Sequence, residues 1–152
     1  MENALDFSGK VVIVTGGGKG VGRGISECFL AAGAKVMICG RSAPETLPEA
    51  DGNRALFTPC DVKDYAKIEA CVEETVRQLG RLDVLVNNAG GAPFAEAATA
   101  SPRFSESIIR LNLIAPLNFA QVANRVMQQQ ASGGSIVNIA SVSTIRPSPG
   151  TA

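Results

Sequence analysis

Lys10-Val11-Val12-Ile13-Val14 runs directly into Thr15-Gly16-Gly17-Gly18-Lys19-Gly20-Val21-Gly22, and this junction decides how the chain folds. The first segment is apolar and rich in β-branched residues, which suits a buried strand. The glycines that follow make a turn, and the next segment places Ile25 and Phe29 one helical turn apart, with Gly33 positioned to stop the helix. Strand, glycine turn and helix in that order aim the first backbone N–H groups of the helix at one point, where a pyrophosphate can sit. A nucleotide ligand is the expectation.

Working outward, strands and helices alternate at spacings that fit βαβ units. Strands are expected at Lys10–Thr15, Lys35–Cys39, Ala55–Cys60, Leu82–Val86 and Ser135–Ala140, with Asp51-Gly52-Asn53 as a turn before the third. Tyr65, Ile68, Val72 and Leu79 recur at helical spacing up to Gly80, and a long helix is expected from about Ser105 to Gln130. The fourth strand is apolar except for Asp83, as in a parallel sheet buried on both faces. The fold class is therefore α/β, a Rossmann-type doubly wound parallel sheet, here five strands with flanking helices. One domain spans residues 1–152. Gly91 to Pro102 reads as a surface connection, and the tail Arg146 to Ala152, with two prolines and a glycine, as a loop.

Composition narrows the function classes. The 152 residues are 45% hydrophobic, and 14 basic side chains balance 14 acidic ones. That balance leaves no electrostatic footprint for nucleic acid or an anionic membrane. No apolar run approaches membrane-spanning length, and the acidic start Met1-Glu2-Asn3-Ala4-Leu5-Asp6 lacks the features of a signal peptide, so a cytoplasmic location is expected. Histidine is absent, which removes a Ser-His-Asp triad and His-ligated metal. Cys28, Cys39, Cys60 and Cys71 form no Cys-x-x-Cys pair; they read as buried thiols, and no metal site is expected.

Five local signals, Thr15-Gly16-x-x-x-Gly20-x-Gly22, Asp61-Val62, Asn87-Asn88-Ala89-Gly90, Asn112 and Ser141, fall in one order along the chain. In these the sequence resembles the N-terminal part of the short-chain dehydrogenase/reductase family, over essentially its whole length. The resemblance implies an oxidoreductase that interconverts a ketone or aldehyde and an alcohol by hydride transfer, acting on a small molecule with an NAD(P) cofactor. It implies cofactor contacts from Gly16, Gly18, Lys19, Gly20, Val21 and Gly22, from Asp61 and Val62 at the adenine, and from Asn88, Ala89 and Gly90 at the ribose. Asn87 would tie neighbouring strands together.

Gly16 suits the tight turn, Gly20 the close approach of the pyrophosphate and Gly22 the packing of helix on strand. Where an NAD-preferring relative carries an acidic residue after the second strand, this chain has Gly40, followed by Arg41. Arg41 and Lys19 offer donors for a 2′-phosphate, so NADP(H) is expected over NAD(H). The plainer alternative is two solvated surface cations. Asp61 could likewise simply cap a helix.

By the same resemblance the catalytic residues are Ser141, which would bond the substrate oxygen, and Asn112, which would hold a relay water; Ser143 competes with Ser141. Pro116 lacks an N–H, so the Asn112 carbonyl four residues earlier loses its helical partner. The family's Tyr-x-x-x-Lys is missing, and its place would fall just past Ala152. The single tyrosine, Tyr65, reads as a packing residue. The chain is therefore expected to be incomplete at its C-terminus, with an exposed apolar edge at the fifth strand. Relatives pair as homodimers or homotetramers; Ile109, Leu113 and Leu117 could form such a face or pack on the chain's own sheet. A non-catalytic nucleotide-binding module that senses cofactor or binds a partner is the alternative function, and a glycine-loop methyltransferase is disfavoured by Asn87 to Gly90 and by Lys19 with Arg41.

Overall fold

The computed structural model describes residues 5–142, so the readings made of residues 1–4, of Ser143 and of the tail Arg146 to Ala152 lie outside the described residues. The elements are β1 (Val11–Thr15), α1 (Gly20–Ala31), β2 (Lys35–Gly40), β3 (Glu49–Ala50), β4 (Asn53–Arg54), β5 (Leu56–Pro59), α2 (Tyr65–Leu79), β6 (Val84–Asn87), α3 (Pro102–Ile109), a π-helical segment (Arg110–Ile114), α4 (Ala115–Met127) and β7 (Ser135–Asn138). Five strands form one parallel sheet in the order β5-β2-β1-β6-β7. The small β3–β4 pair is antiparallel and turns through Asp51 (φ 49°) and Gly52 (φ 78°), both positive as in a two-residue hairpin turn.

Side chains alternate across β1 and sort the core into two layers. Ile13, Met37, Cys39 and Leu85 face α2 and α4, where they meet Ile68, Val72, Phe119 and Val122. Val12, Val14, Val36, Ile38, Val84 and Val86 face the other way and pack around Leu30 of α1, with Ile25 and Phe29 partly buried beside them. Phe7 meets Phe29 edge to face at a centroid distance of 5.1 Å. Both sheet faces are thus covered, which is why apolar runs rather than strict alternation mark the central strands.

Asp83, only 6% exposed, is the polar exception at the start of β6. Its carboxylate accepts from Val11 N (2.9 Å) and from Arg81 Nε (2.7 Å) and Nη2 (2.6 Å), with Lys10 Nζ at 3.6 Å. Burial pushes the carboxyl up, but these hydrogen bonds and the two cations prevail and hold it below the usual carboxylate range.

The expected single helix from Ser105 to Gln130 is corrected. It starts at Pro102, with the Ser101 hydroxyl accepting from Phe104 N (3.2 Å) as its cap, and ends at Met127. Between them the backbone widens to the π register, and Ala115 N bonds the Arg110 carbonyl. Pro116 has no N–H to give the α-helical bond, and the chain adapts with one wider turn rather than an open kink. Cys28 is also corrected: α1 buries Gly22, Ser26 and Leu30, so Cys28 lies on the opposite face and is exposed. Ile109, Leu113 and Leu117 are 52%, 61% and 64% exposed, so they do not pack on the chain's own sheet.

Candidate functional site

In this strand order the chain leaves β1 toward β2 on one side and returns to β6 on the other. The carboxyl ends of β1 and β6 therefore border a crevice, the usual ligand position in an open parallel sheet. Thr15 closes β1 there and is 2% exposed. Its hydroxyl donates to the Val86 carbonyl (3.3 Å) and accepts from Asn88 N and Ala89 N (2.9 Å each). The Asn88 amide in turn donates to the Thr15 carbonyl at 2.9 Å. One threonine thus locks the glycine turn to the segment after β6, a role sequence reading missed although Thr15 heads the glycine motif.

The glycine loop is shaped by crowding as much as by turn geometry. Gly16 has φ +65°. A Cβ at Gly22 would collide with the Gly16 carbonyl oxygen and the Asn88 side chain, and one at Gly17 would stand 2.5 Å from Ile38 Cγ2 and 2.8 Å from Ser26 Oγ. Buried Ser26 closes the loop from below, its hydroxyl bonded to the Gly22 (2.9 Å) and Gly17 (3.2 Å) carbonyls. Gly17 and Ser26 were not foreseen; only the folded contact reveals them. No side chain caps the N-terminus of α1, so its first amides are left facing the crevice.

A groove of about 720 Å³ runs along these carboxyl ends, and all of Gly16, Gly18, Lys19, Gly20, Val21, Gly22, Arg41, Asp61, Val62, Asn88, Ala89 and Gly90 line it. Lys19 and Arg41 are exposed on its rim, and neither pairs with a carboxylate among the described residues. At Gly40 a Cβ would meet only the Ser42 carbonyl, at 3.7 Å, so the place of the missing acidic side chain is open space. Asp61 does not cap α2. Asp64 does, accepting from Ala66 N (3.1 Å) and Lys67 N (3.3 Å), while Asp61 accepts from Lys63 N at 3.0 Å.

Asn87 donates to the Asn138 side chain (2.9 Å) and the Pro116 carbonyl (3.1 Å), tying β6 to β7 and to α4. Asn112 sits in the π segment, outside the groove lining, and braces the loop after β6: its Oδ1 accepts from Gly91 N (2.8 Å) and its Nδ2 donates to the Gly91 and Ile108 carbonyls (3.0 Å each). Ser141 follows β7 and is exposed, also outside the groove lining. Tyr65 is 37% exposed and bridges α2 to α4 rather than packing inside: its hydroxyl accepts from Arg125 at 2.7 Å and donates to Gln121 at 3.4 Å.

The site residues present fit a dinucleotide: bare Gly17 and Gly22 let loop, strand and helix pack closely, Gly20 borders open space in the groove wall, and the uncapped helix start leaves backbone donors for a pyrophosphate. The comparisons agree with that geometry. The family model described as short chain dehydrogenase matches residues 10–152. The chain is 37% identical over 150 residues to L-fucose dehydrogenase of Bos taurus, covering 93% of this chain and 53% of that protein. It is 34% identical to L-2,3-butanediol dehydrogenase of Corynebacterium glutamicum, covering 92% and 57%. A short chain dehydrogenase from Mycobacterium smegmatis superposes with a TM-score of 0.86 at 27% identity, over 99% of this chain and 65% of that one. The chain belongs to the short-chain dehydrogenase family. It spans a little over half the length of these curated relatives. No helix of the described residues is long and apolar enough to cross a membrane.

Proposed function

We propose that this chain is the cofactor-holding part of an NADP(H)-dependent oxidoreductase that interconverts a secondary alcohol and a ketone. The observation that carries the reading is the groove wall where Gly40 leaves open space and Arg41 and Lys19 stand without carboxylate partners among the described residues. A 2′-phosphate placed there meets two cations, and Gly40 brings no carboxylate against it. When bound, the cofactor supplies the hydride acceptor or donor. The chain's own residues do the rest: the glycine loop and the α1 amides bind the pyrophosphate, Asp61 takes the adenine side, and Asn88 to Gly90, held by Thr15 and Asn112, line the ribose. Ser141 is the residue proposed to bond the substrate oxygen, and Asn112 holds the loop after β6 through Gly91.

The proton donor belongs, on this reading, to a continuation carrying Tyr-x-x-x-Lys, which would also cover the exposed edge of β7. The named relatives act on a sugar and a diol; a hydroxylated secondary alcohol is the substrate class proposed here. Exposed Ile109, Leu113 and Leu117 would then serve contact with a second copy of the chain. One observation favours the second reading, a module that binds cofactor without turnover: the only tyrosine is held by Arg125 and Gln121 away from the groove.

Fluorescence titration of the full-length protein with NADPH and NADH tests the cofactor assignment. Tighter binding of NADPH, about tenfold weakened by Arg41→Ala, is expected for loss of one charged phosphate contact. Gly40→Asp should reverse the preference by placing a carboxylate where the ribose 2′-hydroxyl would sit. Equal affinities for the two nucleotides would remove the phosphate assignment. Cofactor binding without oxidation across a panel of ketones would favour the module.

A further inference from the structure

Cys39, Cys60 and Cys71 are far apart in sequence and come from three elements: the end of β2, the residue after β5 and the middle of α2. Their Sγ atoms all lie within 4.8 Å of one another, and none is more than 2% exposed. All three are free thiols. Three thiolates bound about 2.3 Å from a common ion stand about 4 Å apart, so the trio needs less than about an ångström of contraction to close on one. Cys60 N donates to the Gly40 carbonyl (2.8 Å) and its Sγ to the Lys67 carbonyl (3.4 Å), which holds the middle sulfur in place between strand and helix. The trio also lies against the groove: Cys39 and Cys60 contribute to its wall, immediately before Gly40-Arg41 and Asp61-Val62.

We propose that Cys39, Cys60 and Cys71 form a three-thiolate site for one soft, thiophilic d10 metal ion at the base of the groove. Sulfur-only donor sets select ions of this kind over magnesium or calcium, which take oxygen. On binding, the sulfurs that still carry protons release them to solvent, and three metal–sulfur bonds replace the S–H bonds. The ion would clamp the ends of β2 and β5, the two segments that present Arg41 and Asp61. This site goes beyond the cofactor assignment and needs no nucleotide.

Cadmium is the probe, added to the reduced full-length protein without nucleotide and followed by its sulfur-to-metal charge-transfer absorption. One tightly held Cd²⁺ per chain, displaced by excess Zn²⁺, with a shell of three sulfurs by X-ray absorption, is expected. Cys71→Ser should weaken it by at least about a hundredfold, since even loss of a supporting partner reaches that size, while Cys28→Ser leaves it unchanged. If Cys71→Ser does not fold, the wild-type sulfur shell decides alone. A shell of oxygen or nitrogen, no tight ion, a disulfide within the trio in the isolated protein, or dependence on Cys28 overturns the proposal. Because no cofactor enters the measurement, its failure leaves the NADP(H) reading standing.

Discussion

β1 and β7 lie in the same parallel sheet and read much alike, Val-Val-Ile-Val-Thr against Ser-Ile-Val-Asn, yet every residue of β1 is buried and every residue of β7 is exposed. The difference comes from neighbours, not composition. β1 has β2 and β6 on its two sides and helices over both faces, whereas among the described residues β7 pairs only with β6, and no residue of it belongs to either core layer. Ile136 and Val137 remain 36% and 43% exposed. The same aliphatic side chain is therefore worth kilocalories in one strand and little in the other.

Substitutions along the two regions test this contrast. Ile13→Ala, at a residue with no exposed surface, should cost about 4 kcal/mol in urea unfolding, the range for a large aliphatic side chain lost from a core that cannot collapse. A loss under about 1 kcal/mol would show that the β1 core is loosely packed. Gly22→Ala should cost about 2 to 3 kcal/mol and abolish measurable dinucleotide binding, because its methyl group must displace the Gly16 carbonyl. Unchanged binding would mean that the helix can retreat from the loop.

Asp83→Asn, at the foot of β6, should cost about 2 kcal/mol at neutral pH through loss of charged hydrogen bonds to Arg81 and Val11. The folded state holds the Asp83 carboxyl below its ordinary value, so its contribution is complete above about pH 4 and disappears as pH falls through the lowered one. Wild type and variant should accordingly converge in acid, and a constant gap down to the lowest pH would assign the loss to packing. Val137→Ala in β7 should change the stability of this chain by no more than about 0.5 kcal/mol. A cost close to that of Ile13→Ala would mean that β7 is covered in solution.

Much of the site was legible because its signals are local. Turn glycines, strand-ending asparagines and the Asp61-Val62 pair all fall at carboxyl ends of strands, and the parallel sheet brings those ends to one groove. Asn112 was singled out for its carbonyl, whereas the fold uses its side chain to hold Gly91, a contact 21 residues back along the chain that no spacing rule announces. The register of the long helix was misjudged for a related reason. Pro116 signals that one hydrogen bond is lost, but whether the backbone kinks or widens depends on what packs against it.

The sequence by itself determined the alternation of strands and helices, the glycine turn into α1 and the family, since periodicity and backbone freedom act over a few residues. Tertiary structure alone decided that Thr15 secures the loop after β6, that Asp83 is held by Arg81 and Val11, and that β1 is buried while β7 is exposed. It also decided that three cysteines from β2, the turn after β5 and α2 meet in one place. Those outcomes depend on which distant segments become neighbours, and that is set by the order of strands in the sheet.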